Sequence, residues 1–177
     1  MANNVPARIA LIGMMGSGKT QAGLALAKLL PGYELVDLDR AIEKSLGKTI
    51  SEVFMAQGEA YFRSKETDVL KNVSQRSPLI LSTGGGVVLN KANAQLLREN
   101  FVCVYLKALP ETVLERVGLA SNRPLLKNLS EPEKLLKIKA LLNERAALYQ
   151  AIAHLEVQTD SQTAEGVAQQ IKEKLNA

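Results

Sequence analysis

A chain of 177 residues that is 46% hydrophobic and 23% charged fits one domain and can bury a core without disulfides or structural metal, and no apolar run approaches the ~20 residues of a membrane helix. With no room for a leader ahead of the first strand and a single cysteine, a cytoplasmic protein without an internal disulfide is expected. The net charge of +4 comes from lysines and arginines dispersed among carboxylates, with 4% aromatics and no tryptophan; this argues against a base-stacking nucleic-acid platform and for attraction of small polyanions.

In chain order, the apolar run Ile9–Ile12 reads as a buried strand. It leads into Gly13-Met14-Met15-Gly16-Ser17-Gly18-Lys19-Thr20, a G-x-x-x-x-G-K-T phosphate loop. Its glycines let backbone N–H groups form an anion nest, and the following helix turns its positive end to the same anion. Lys19 is then a mobile cation for the β- and γ-phosphates, and Thr20 offers a hydroxyl to Mg²⁺. Ala22, Ala25, Leu26, Leu29 and Leu30 give the helix an apolar face.

A second strand, Glu34–Val36, ends at Asp37 and Asp39, two carboxylates where α/β sheets bind ligands. One suits the Mg²⁺ shell and the other a proton-accepting role, although the pair also reads as an Asp turn with N-cap duty before Ala41 and Ile42. Thr49 to Glu52 fits a capping box. Arg63 and Glu66, three apart, share a helix face. Glu66 can steer the guanidinium, although alone the pair reads as a surface salt bridge.

Strand Leu79–Ser82 runs into Gly84-Gly85-Gly86, which calls for close backbone approach by a ligand or a tight bend. Strand Val102–Leu106 holds Cys103, read as a core thiol. The stretch from Gly118 to Leu129 lacks a sustained period and contains Arg123, which marks a lid candidate. Ser130 to Glu133 fits a second capping box, with Pro132 in the first turn. Arg145 lies in the helix that follows and, taken alone, reads as a solvated residue. The one histidine, His154, reads as structural. Strand Leu155–Gln158 and a final helix with Val167, Ile171 and Leu175 close the chain.

Mostly continuous apolar strands alternating with helices predict one α/β domain over residues 1–177, a parallel sheet with helices on both faces. No exposed hydrophobic stripe is legible, so a monomer is expected.

Taken together, G-x-x-G-x-G-K-T, D-x-D, G-E-x-x-F-R, G-G-G, R-P-L-L and E-R-x-x-L-Y, in that order from Gly13 to Tyr149, resemble the shikimate kinase family over nearly the whole chain. The resemblance implies a P-loop, nucleoside-monophosphate-kinase-like fold with strand order 2-3-1-4-5 and a mobile lid over about 118–130. It implies ATP-dependent phosphorylation of the 3-hydroxyl of shikimate in aromatic amino acid biosynthesis, with ATP and Mg²⁺ as cofactors. Matched position by position, it assigns ATP to Gly16, Ser17, Gly18, Lys19, Thr20, Gln21, Arg116 and Arg123, with Arg116 on adenine and Arg123 closing from the lid. Mg²⁺ goes to Thr20 and Asp37. Shikimate goes to Asp39 as base, to Arg63 and Arg145 as a carboxylate clamp, to Gly84, Gly85 and Gly86 beside the ring hydroxyls, and to Phe54 and Phe62 as apolar walls; Lys19 and Arg123 join Asp39 in catalysis. Two rival readings are a gluconate kinase, which leaves the arginine pair without a purpose, and a non-catalytic nucleotide-binding module, which leaves Lys19, Asp39 and Arg123 without one.

Overall fold

The computed structural model describes residues 5–118, 126 and 128–176. Five strands, β1 (Arg8–Ile12), β2 (Glu34–Asp37), β3 (Leu79–Ser82), β4 (Val102–Lys107) and β5 (Leu155–Gln158), form one parallel sheet in the order β2-β3-β1-β4-β5. Each predicted strand is present, within a residue of its expected ends. Because all pairs are parallel, every strand's carboxyl end lies along one edge, where such sheets bind ligands.

Alternating side chains of the central strands go to opposite faces. Ala10, Ile12, Leu79, Leu81, Cys103 and Tyr105 join a cluster with Ile42, Phe62, Leu70, Leu97 and Tyr149. Those partners come from helices α2 (Leu38–Leu46), α3 (Ile50–Val73), α4 (Lys91–Asn100) and α6 (Glu131–Ile152). Ile9, Leu11, Ile80, Val104 and Leu106 pack on the other face against α1 (Lys19–Leu29) and α7 (Ala164–Leu175), through Ala22, Leu26, Val167 and Ile171. A third cluster joins Met14 of the loop after β1 to Val113 and Val117 of α5 (Pro110–Gly118) and to Ile138 and Leu141 of α6. At about 1.5–3 kcal/mol for each fully buried aliphatic side chain, these clusters hold the strand ends still beneath the loops.

Both expected capping boxes form: Thr49 and Glu52 start α3, and Ser130 and Glu133 start α6 with Pro132 in its first turn. Helix α3 is not continuous, because Gly58 takes φ 80° and ψ 173° and divides it. Cys103 is buried, and burial pushes its thiol up to about 12. His154 is structural: its backbone N–H donates to the Cys103 carbonyl at 2.8 Å and its ring Nδ1 accepts from the Cys103 backbone N–H at 3.0 Å, so backbone and ring together fasten the entry of β5 to β4. Of the expected lid, Gly118 closes α5 and Ser130 caps α6, whereas Arg123 lies outside the described residues. No described helix is long and apolar enough to cross a membrane.

Candidate active site

Two neighbouring cavities open along the carboxyl edge of the sheet. The first, about 510 Å³, is lined by the loop Met15 to Gln21, Asp37, Asp39 and Arg116, and by Thr159, Gln162, Ala164 and Val167 among others. The second, about 420 Å³, is lined by Phe54, Phe62, Arg63, Glu66, Gly84 to Gly86 and Arg145 among others. Met15, Asp39 and Gly85 belong to both walls. The expected nucleotide residues, Arg123 apart, thus face one cavity and the expected acceptor residues the other, with Asp39 between them.

The loop after β1 owes its shape to glycine. At Gly16 (φ 73°) a Cβ would come within 2.8 Å of Val117 Cγ2 and 3.2 Å of the Val113 carbonyl, so this turn packs directly on α5. Ser17 is fully buried. Lys19 differs from the mobile cation expected: it is 8% exposed, and its Nζ donates to the carbonyls of Gly13 at 2.8 Å and Met14 at 2.7 Å. The cation is already held across its own loop.

Of the two carboxylates, Asp37 is the one that caps α2, and it also reaches the phosphate loop. Its Oδ1 accepts from the Arg40 N–H at 3.2 Å, capping α2, and its Oδ2 accepts the Thr20 hydroxyl at 2.9 Å. Ser82 Oγ, at the end of β3, lies 3.4 Å from Thr20 Oγ1. Three hard oxygens, from the first turn of α1 and the ends of β2 and β3, therefore meet beside the phosphate loop, a donor set that fits Mg²⁺. Ser82 was not singled out in the sequence; its signal is a lone hydroxyl ending an otherwise apolar strand.

Arg116 is fixed by Thr159, donating from NH2 to its carbonyl at 2.6 Å and from NH1 to its hydroxyl at 3.0 Å, and from NH1 to the Gly16 carbonyl at 3.4 Å. Thr159 and Gln162, also on the wall of the first cavity, were missed. They follow the last strand, and only their place at its carboxyl end could have suggested them.

The acceptor side corrects two readings of isolated residues. Arg63 and Glu66 are no surface pair: NH1 donates to Glu66 Oε2 at 2.9 Å, and the two side chains are only 20% and 1% exposed. Burial pushes the Glu66 carboxyl up and the Arg63 charge opposes it, while Asp39 and Glu59 add to the rise. Arg63 also donates to Glu59 and lies 5.1 Å from the Phe62 ring centre. Phe54 and Phe62 stack with centroids 4.9 Å apart on the same wall. Arg145 is not solvated but 5% exposed. Its NH1 donates to the Gly85 carbonyl at 3.4 Å, its Nε has no partner among the described residues, and no carboxylate there pairs with it. Tyr149, whose hydroxyl donates to the same carbonyl, is pushed upward chiefly by burial.

The triple glycine makes no left-handed bend, since none of the three has a positive φ. Close approach explains it. A Cβ would meet Asp39 Oδ1 at 2.6 Å from Gly84, the Met15 N–H nitrogen at 3.0 Å from Gly85, and Arg63 Cζ at 2.8 Å from Gly86. Each glycine makes room for a different group of the two cavities.

Comparison with known proteins accords with this geometry. A family model described as shikimate kinase matches residues 15–176. The shikimate kinase of Moorella thermoacetica is 42% identical over 98% of this chain and 96% of its own. A solved shikimate kinase from Acinetobacter baumannii in complex with shikimate superposes with TM-score 0.91 at 38% identity, covering 98% of this chain and 95% of that one. A gluconokinase from Sinorhizobium meliloti, at TM-score 0.59 and 16% identity over 97% of this chain and 92% of that one, shares the fold alone. On these matches the chain belongs to the shikimate kinase family.

Proposed function

We propose that the protein transfers the γ-phosphoryl group of ATP to the 3-hydroxyl of shikimate, giving shikimate 3-phosphate and ADP in aromatic amino acid biosynthesis. The observation that carries this reading is Arg145, a buried cation on the second cavity with no carboxylate partner among the described residues. A buried charge is costly unless paired, and Arg63, on the wall of the same cavity, offers a second planar fork suited to a carboxylate. An acidic acceptor gives both arginines a purpose that gluconate kinase chemistry on the shared fold does not require.

In this reading the loop amides, Lys19 and the amino end of α1 hold the triphosphate. Gln21 and Arg116 line the nucleotide cavity, with Arg116 facing the base. Thr20 and Asp37, with Ser82, would hold Mg²⁺, which neutralises phosphate charge when bound. Asp39 accepts the proton as the 3-oxygen bonds to the γ-phosphorus and the bond from that phosphorus to the β,γ-bridging oxygen breaks, leaving ADP. Because phosphoryl transfer depends mainly on positioning and charge stabilisation, a carboxylate is a sufficient base. Gly84 to Gly86 and the two phenylalanines shape the ring site, and Arg123 supplies a further cation to the phosphates from the proposed lid. A monomer satisfies this scheme, since each residue comes from one chain.

Release of ADP from Mg-ATP should depend on shikimate and not on gluconate; turnover with gluconate alone would overturn the assignment, and ATP turnover indifferent to both would favour a binding module. Arg63→Lys and Arg145→Lys keep charge but lose the fork. Calorimetric titration should show each raising the Kd for shikimate by at least about tenfold, the loss of one charge-assisted hydrogen bond, with the nucleotide Kd nearly unchanged. Equal losses for both ligands would sink the clamp.

A further inference from the structure

Behind Arg63 lies a polar group that neither cavity reaches. Asn93, in the first turn of α4, is fully buried. Its Nδ2 donates at 3.5 Å to Glu66 Oε2, the same oxygen that accepts Arg63 NH1 at 2.9 Å. Asn93 Oδ1 and Glu66 Oε1 are both buried without a hydrogen-bond partner among the described residues. The residue before α4, Asn90, makes a parallel connection: its Nδ2 donates to Thr67 Oγ1 at 3.2 Å, and that hydroxyl donates to the Arg63 carbonyl at 3.0 Å.

An asparagine in this place is poor packing. Its unmet carbonyl costs stability, and an apolar side chain of similar volume would remove that cost while taking one donor from Glu66. What the amide does provide is direction. Arg63 alone leaves the Glu66 carboxylate free to turn about its last torsion, which is a soft one, and a donor from a second helix fixes its plane. Glu66 can then present Oε2 to Arg63 while Gly86 leaves the guanidinium its space.

We propose that Asn93 is a positioning residue for acceptor binding, acting through Glu66 to hold Arg63 in the orientation that meets the substrate carboxylate. The proposal rests on the reading of Arg63 as half of the carboxylate clamp. It predicts that stability and affinity separate.

The test is calorimetric titration of the whole protein with shikimate and with Mg-ATP, beside thermal unfolding. Asn93→Leu should unfold within a few degrees of the wild type, because removing the unmet Oδ1 offsets the donor lost to Glu66, yet bind shikimate at least about tenfold more weakly, the loss of one hydrogen bond to a charged group, with Mg-ATP affinity unchanged. Asn93→Thr keeps a donor and should bind shikimate within about twofold of the wild type. In a Glu66→Gln background, Asn93→Leu should add less than about twofold, because both changes act on one path.

Unchanged shikimate affinity in Asn93→Leu, equal loss for both ligands, or full additivity with Glu66→Gln would overturn the role. If the leucine variant does not fold, the threonine variant decides: a loss beyond about fivefold would place the function in packing rather than in donation. A wild type that binds Mg-ATP but not shikimate would overturn the clamp and this proposal together, whereas a wild type that binds both beside an unaffected Asn93→Leu overturns the proposal alone.

Discussion

Asp39→Asn should lower turnover by roughly 10²- to 10⁴-fold, the contribution of a positioned general base, with the fold intact. The substitution keeps the side chain's size, which matters because Gly84 leaves no slack: a Cβ there would already sit 2.6 Å from Asp39 Oδ1. Shikimate should still bind, since the amide can hydrogen-bond a hydroxyl and the arginines are untouched. The loss in rate should therefore exceed the loss in affinity. Asp37→Asn should differ in kind. Asp37 accepts the Thr20 hydroxyl, so its defect should appear as a raised Mg²⁺ requirement. Initial rates against Mg²⁺ for both variants separate the roles; rescue of Asp39→Asn by added metal, with none for Asp37→Asn, would reverse them.

Lys19→Ala should cost about 10²- to 10³-fold in turnover, the range for removing one group that stabilises transition-state charge. In the proposed scheme Nζ exchanges the carbonyls of Gly13 and Met14 for phosphate oxygens, and it starts within the loop proposed to cradle them. Little reorganisation is needed. The variant also loses two hydrogen bonds that tie the loop together, so thermal unfolding should fall by a few degrees, in line with about 1–2 kcal/mol. Circular dichroism and a coupled ADP assay on the same sample test both statements. Near-normal activity at low Mg-ATP would remove the lysine from the phosphate site.

The fold was legible because its strands are central and buried on both faces, so they read as continuous apolar runs at Ile9–Ile12, Leu79–Ser82 and Val102–Leu106. Capping at Thr49 and Ser130 was legible because it is chemistry between residues three apart. Burial was not. Arg63, Glu66 and Arg145 look like solvated helix residues in isolation, and they are buried only because α3 and α6 converge on the triple-glycine segment. The break at Gly58 was equally hidden, since one glycine inside an otherwise helical run does not announce its φ. Thr159, Gln162 and Ser82 carry common polar side chains without local spacing, and what makes them site residues is the shared sheet edge. Asn93 is similar: its partner lies 27 positions away in sequence, and no periodicity joins the two.

Met15, Asp39 and Gly85 form a partition common to both cavities. Phosphoryl transfer between molecules seated in the two cavities, as proposed above, would bring their reacting ends together, and a molecule that joins them covalently is ordered once rather than twice. Its second half then binds at an effective concentration set by the tether instead of by the solution. A polyphosphate tethered to a cyclic hydroxy acid is thus the class of compound for which this partition is itself a docking feature, and such a bisubstrate ligand would compete with both natural substrates at once.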